Sequence, residues 1–329
     1  MFRAVLIILV AVLLPIQSES HFKHWGFYAH RRINHFAVFT LPSELFSFYK
    51  SHINIITENA VNPDKRRYAV KGEAPRHYID IDHYAKEGEN PFEVVPRKWD
   101  DAVAKFSEDT LQEYGIVPWH IDLMVYRLTR AFQDEDIPQI IRLSADLGHY
   151  VGDAHVPLHT TKNYNGQFTG QYGIHGFWES RLPELYDEEY DFFVGQAQYV
   201  DFVQDYVWDI VENSHWAVDS VLRFEAELSE EFPADQKFAF EERGRTITKA
   251  YSQDFAQAYH DKLDGMVERQ MRHTIHAVGS LWYTAWVNAG QPSLGAPSVS
   301  VEEEIEKERE ALEKEYRGAD KPIGRDFDD

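Results

Sequence analysis

Between Leu147 and Glu179 the chain concentrates side chains that ligate metals: His149, Asp153, His159, His175 and Glu179. His149 and Asp153 are four residues apart, as are His175 and Glu179. On a helix that spacing puts both members of a pair on one face. Imidazole nitrogen and carboxylate oxygen are zinc's usual ligands where thiolate is lacking, and this chain has no cysteine. The His149–Asp153 helix carries an apolar stripe of Ile140, Ile141, Leu143, Leu147 and Val151, so the polar pair falls at a partly buried end. Burying the two unpaired would be costly, and a metal ion removes that cost. Pro157 then breaks the helix and turns His159 out of its line, toward a different centre.

Other histidines carry less weight. His35, His52, His120, His215 and His260 read as ordinary surface or core residues. His273 and His276 are three apart without a carboxylate at helical spacing, and they are set aside. His155 is expected to point off the His149–Asp153 face, in a supporting or packing role. Two other segments do qualify. Asp64 and His77 flank the basic residues Arg66, Arg67 and Lys71, with Asp80 and Asp82 as rivals to Asp64. His30 closes the run Trp25-Gly-Phe-Tyr-Ala-His30.

Taken together, His-x3-Asp-x5-His, the downstream His-x3-Glu and the Trp-Gly-x3-His run resemble the zinc-dependent phospholipase C and single-strand nuclease superfamily, over Trp25 to about Trp286. The resemblance implies an all-α fold with three zinc ions in a cleft. It implies one zinc on Asp64, His77, His149 and Asp153, and a second on His159, His175 and Glu179 with an open position. A third would be held by His30, by Asp153 as a bridge, and by the amino group and carbonyl of Trp25. In that family the tryptophan is normally the mature N-terminus. Here the expected cleavage point leaves His21-Phe-Lys-His24 ahead of it, so His24 or His21 is expected to take part.

Such a site suits metal-assisted hydrolysis. Zinc lowers the pKa of a bound water from 15.7 toward ~7, and the resulting hydroxide would attack phosphorus in line with the leaving oxygen. Asp64 could orient that water as a catalytic residue. The resemblance implies a phosphodiester substrate, either a phospholipid headgroup or single-stranded DNA or RNA. Glu179, where the family's nucleases usually carry aspartate, and the short His159–His175 loop lean toward phospholipase C. The Trp25–His30 spacing leans toward an endonuclease. Tyr164, Phe168, Tyr172 and Phe177 could stack a base or meet a headgroup, with core packing the plainer expectation. A non-catalytic envelope protein that binds zinc is the alternative of another class.

The rest of the chain must position these groups. From Trp25 to about Asn288 the apolar periodicity is mostly helical. Expected runs are Ala29–Tyr49 with a break near Pro42, Pro96–Tyr114, Pro118–Gln133, Pro138–Val151, Tyr199–Phe224, Gln236–Tyr259 and Lys262–Asn288. No alternating strands stand out, and Thr160–Gly173 reads as a long polar loop. One all-α domain over residues 21–290 is the simplest organisation. Residues 291–329 form a charged tail, expected to be a solvated helix over Val301–Tyr316 and disordered beyond it. Arg3, the apolar run Ala4–Leu14 and Ser18-Glu19-Ser20 predict a signal peptide over residues 1–20, hence an exported protein without a stable membrane anchor. The 329 residues include 33 basic and 55 acidic side chains, a net charge of −22. Broad electrostatic attraction to a polyanion is thereby excluded. A phosphate would have to be held by bound cations that invert the local field.

Overall fold

The computed structural model describes residues 26–243, 246–295, 299–319 and 321–324. The expected signal peptide, His21, His24, Trp25 and the last five residues lie outside these. The described chain is all-α, with one two-stranded hairpin. In order the helices are α1 (Phe27–Ala37), α2 (Ser43–Ser51), α3 (Ile53–Asn59), α4 (Asn62–Arg66), α5 (Pro91–Val94), α6 (Trp99–Phe106), α7 (Glu108–Tyr114), α8 (Val117–Gln133) and α9 (Ile137–Ala154). They continue with the short turns α10 (Ile174–Gly176) and α11 (Leu182–Tyr186), then α12 (Val203–Trp216) and α13 (Val218–Glu231). The hairpin strands β1 (Phe238–Arg243) and β2 (Thr246–Tyr251) precede α14 (Gln253–Lys262), α15 (Met266–Asn288) and α16 (Val299–Gly318). None is long and apolar enough to cross a membrane.

The centre of the bundle is α9, packed against α8, α3, α1 and α15. Its start is set locally: Pro138 occupies the first turn, and the Asp136 carboxylate accepts from the Gln139 amide at 3.1 Å. Its apolar residues Ile140, Ile141, Leu147, Val151 and Ala154 are fully buried, as are Ile121 and Leu128 of the facing α8. Glycine permits close approach on the α1 side. A Cβ added at Gly148 would fall 1.9 Å from Asn34 Oδ1. Asn34 there donates to the carbonyls of Ala145, at 3.0 Å, and Ile56, at 3.4 Å.

Several expectations need correction. Pro96–Tyr114 is two helices, because Ser107 adopts φ 71° and caps α7 with its hydroxyl. The expected helix over Gln236–Tyr259 is instead the β1–β2 hairpin followed by α14, which Ser252 caps. Its register pairs Phe238 with Tyr251 and Phe240 with Lys249. Alternation along Phe238-Ala-Phe-Glu-Glu-Arg and Thr246-Ile-Thr-Lys-Ala-Tyr, around Gly244, was the strand signal. The tail helix α16 is not an isolated solvated helix. Ile305 is buried in the core, Arg142 of α9 clamps Glu304 and Glu308, and Lys65 of α4 meets Glu313 at 2.8 Å. Beyond it the Ile323 amide donates to the Arg67 carbonyl at 2.6 Å.

Candidate metal centre

Seven elements of the chain supply the ligand candidates. His30 comes from α1, Asp64 from α4, and His77 from the 3-10 turn Ala74–His77. His149 and Asp153 come from the last turns of α9. His159 lies in the 3-10 turn after Pro157, His175 in α10, and Glu179 in the π-helical turn Phe177–Arg181. The His77 and His159 segments lock each other. His159 Nδ1 donates to the His77 carbonyl at 2.6 Å, and the Ile79 amide donates to the His159 carbonyl at 2.9 Å. Across the polar loop, Asn165 Oδ1 accepts from the amides of Gly173, at 2.9 Å, and His175, at 3.4 Å.

The side chains form three linked sets. In the first, His77 Nδ1 lies 2.9 Å from Asp153 Oδ2 and 3.1 Å from His149 Nε2. Asp64 Oδ1 stands 3.6 Å from each of those two nitrogens. In the second, Glu179 Oε2 is 2.8 Å from His175 Nε2 and 3.3 Å from His159 Nε2, and the two nitrogens are 3.1 Å apart. Between the sets, His30 Nε2 lies 3.3 Å from Asp153 Oδ1 and 3.7 Å from Glu179 Oε1. His30 also stacks on His149 with ring centroids 3.9 Å apart. Both carboxylates therefore turn one oxygen to His30 and the other to a different histidine pair. Sharing by Asp153 was expected, whereas sharing by Glu179 was not. Although Trp25 is outside the described residues, a Cβ on Gly26 would fall 2.8 Å from Glu179 Oε1, so the backbone just after Trp25 runs at the centre.

These donors fit a metal ion. Nδ1 of His149, His159 and His175 each faces a backbone carbonyl, those of Ala60, His77 and Tyr164. Those carbonyls assign the proton to Nδ1 and leave Nε2 with a lone pair. Two such lone pairs 3.1 Å apart beside a carboxylate oxygen repel, and a proton or a cation between them removes the repulsion. Zinc–ligand distances of about 2.0–2.2 Å place tetrahedral ligand atoms roughly 3.3–3.6 Å apart, close to the separations found here. Glu73, missed in the sequence although it precedes His77 by four residues, is fully buried with Oε1 3.9 Å from His77 Nε2. At that distance it acts on the ring as a nearby charge rather than as a hydrogen-bond acceptor.

Electrostatics follow from burial and proximity. Burial alone would lower the His30 pKa, but hydrogen bonds to Asp153 and Glu179 outweigh it and raise the pKa to about 10. Burial would raise Asp153 and Glu179, yet His149 next to the first and His159 next to the second hold both well below the ordinary carboxylate range. For His159, burial is again outweighed, by Asp153 and Glu179, and its pKa is raised. A metal ion entering here would therefore have to displace protons. We predict that zinc added at pH 6 to metal-free protein releases protons from His30 and His159, as read by calorimetry in buffers of different ionisation enthalpy. Buffer-independent heats would contradict the assignment. The raised His30 also stabilises metal-free protein fully below its unfolded value of 6.5, a contribution lost as pH rises through about 10. Urea unfolding in EDTA should accordingly weaken toward alkaline pH.

Other candidates fall elsewhere. Asp82 fastens the polar loop, accepting from Thr161 Oγ1 at 2.8 Å and the Lys162 amide at 2.9 Å, and neither it nor Asp80 belongs to a metal-competent group. His155 belongs to no metal-competent group and donates from Nδ1 to the Val151 carbonyl at 2.8 Å; burial lowers its pKa to about 4. Phe177 is buried against Tyr251, but Phe168 and Tyr172 are each 69% exposed, so core packing does not describe those two. No family model matches the chain, and no curated protein matches it.

Proposed function

We propose that the protein is an exported zinc-dependent hydrolase of phosphodiester bonds, of phospholipase C or single-strand nuclease type. The observation that carries the reading is the unbroken series His77/His149–Asp153–His30–Glu179–His159/His175, in which two carboxylates each serve two imidazole groups. Structural zinc needs one closed set of four ligands, whereas shared carboxylates hold ions close enough to act on one phosphate. Zinc bound there supplies Lewis acidity and a water acidic enough to ionise near neutral pH.

The chain's own residues do the rest. Asp64, partly exposed at 15% and 3.6 Å from two imidazole nitrogens, accepts a proton from the attacking water and orients it. Asp153 and Glu179 fix the spacing between the sets. The carbonyls of Ala60, His77 and Tyr164 hold the imidazoles in the ligating tautomer. Phe168 and Tyr172 present exposed rings on the loop joining His159 to His175, suited to a stacked base or a lipid headgroup.

The test is a panel of phosphatidylcholine vesicles, single-stranded DNA, RNA and a chromogenic phosphodiester, given to zinc-analysed protein. At least one substrate should be turned over. EDTA should abolish turnover, zinc should restore it, and His149→Ala and Glu179→Ala should both remove it. Turnover that survives EDTA, or survives in both variants, means the centre is misassigned. Full zinc occupancy with no turnover of any substrate would favour the envelope zinc-binding protein instead.

A further inference from the structure

The β1–β2 hairpin supplies no metal ligand, yet it is fastened to the segment that carries Glu179. Arg181, two residues past Glu179, pairs with Glu241 of β1. Phe177, two residues before Glu179, stacks on Tyr251 of β2 with ring centroids 3.9 Å apart. The fully buried Glu225 of α13 then ties the base of the hairpin to the loop between His159 and His175. It accepts from the Tyr251 hydroxyl at 3.2 Å, from Lys237 Nζ at 2.7 Å and from Gln171 Nε2 at 2.5 Å. Hairpin and loop are thus fixed to one another and to the second ligand set.

Register decides what each strand residue meets. Phe238, Phe240 and Glu242 of β1 share a face with their partners Tyr251, Lys249 and Ile247 of β2. The pair nearest the helices, Phe238 and Tyr251, packs against the core. Farther out, Phe240 is 78% exposed and Ile247 66% exposed. These two are diagonal neighbours on the face, so they form one apolar patch rather than two scattered side chains. Folding gains little from leaving them in water. Charge sets the same end apart. From Gln236 to Tyr251 the sequence holds four basic residues, Lys237, Arg243, Arg245 and Lys249, against the acidic Glu241 and Glu242, in a chain of net charge −22. Glu241 is already spent on Arg181. At physiological ionic strength a charge acts over about 8 Å, so a surface touching the hairpin end meets chiefly the charges of the hairpin itself.

An apolar patch beside cations fits the boundary between lipid headgroups and acyl chains. A nucleic-acid strand fits less well, because the aliphatic Ile247 offers a base no ring to stack on. We propose that the hairpin end seats on a phospholipid bilayer, with Phe240 and Ile247 entering the headgroup boundary and Lys249 meeting lipid phosphate. The proposal rests on the phosphodiesterase reading and narrows its substrate to phospholipid. Since Phe177 and Arg181 bracket Glu179 in the chain, a bilayer held by the hairpin lies next to the segment that supplies that ligand.

Flotation of the full chain with phosphatidylcholine vesicles, with and without phosphatidylglycerol, tests this. Runs with and without EDTA separate binding from hydrolysis. The chain should float with the vesicles in both, more with phosphatidylglycerol and less as salt rises. Phe240→Ser with Ile247→Ser should weaken binding at least about tenfold, and Lys249→Gln should remove part of the preference for phosphatidylglycerol. With zinc, both variants should hydrolyse a soluble chromogenic phosphodiester as the native chain does, while the double variant loses cleavage of vesicle phosphatidylcholine. No flotation, or flotation indifferent to the double substitution, overturns the proposal even where the soluble phosphodiester is hydrolysed. Flotation that needs Phe240 and Ile247 in a chain that hydrolyses nothing supports the bilayer contact and overturns the phosphodiesterase reading instead. Single-stranded DNA binding or self-association that the double substitution removes, without flotation, assigns the patch to another partner and overturns the proposal.

Discussion

An Asp153→Ala protein is expected to lose more than a single-ligand substitution elsewhere in the centre would cost. Asp153 Oδ2 reaches His77 and His149 at 2.9 and 3.3 Å, and Oδ1 reaches His30 at 3.3 Å. Its removal therefore takes the nearest carboxylate from three buried imidazoles at once, leaving Asp64 at 3.6 Å from His77 and His149 and Glu179 at 3.7 Å from His30. Loss of a mere outer-sphere partner costs about 10–100-fold in metal affinity or activity, so this substitution should exceed about 100-fold in turnover. Bound zinc should fall while the His159/His175/Glu179 set keeps its own. Elemental analysis and circular dichroism check the two halves of that statement. Native zinc content in the variant would show that the two sets are not linked through this carboxylate.

Gly148→Ala should be among the most damaging small substitutions outside the ligands. The new methyl would stand 1.9 Å from Asn34 Oδ1 and 2.8 Å from its Cγ, inside the α1–α9 contact. Asn34 is fully buried, so displacing it unpairs its bonds to Ala145 and Ile56 without access to water. Overpacking and lost hydrogen bonding together should cost about 3 kcal/mol in urea unfolding. The same widening separates His30 from His149 and should lower zinc affinity. Asn34→Ala in the same protein should return part of the loss. A variant within about 0.5 kcal/mol of the native chain would mean that α1 and α9 tolerate a wider gap.

What the sequence shows plainly is local. His149 with Asp153, and His175 with Glu179, could be paired by helical spacing because each pair is held by one short element. Starts such as Asp136-Ile-Pro138 were legible for the same reason. Placement of His30 between the two sets was not derivable from spacing, since it depends on how closely α1 meets α9 across Gly148 and Gly152. Nor was the second role of Glu179, which depends on the π-helical turn that carries it. The β1–β2 hairpin was overlooked because its alternation sits between two helical runs, and Phe240 and Ile247 are exposed rather than packed. Glutamates dominate the tail, which hid that Ile305 and Tyr316 are buried and that Glu304, Glu308 and Glu313 pair with Arg142 and Lys65 to dock α16.

Docking of α16 has a consequence for biogenesis. The wall that carries Asp64 is finished by Glu313 on Lys65 and by the Ile323 amide on the Arg67 carbonyl. Those residues leave the ribosome long after α4. A nascent chain thus cannot complete this side of the cavity until α16 has been made, and any ion that Asp64 would help to hold meets a finished wall only after α16 docks.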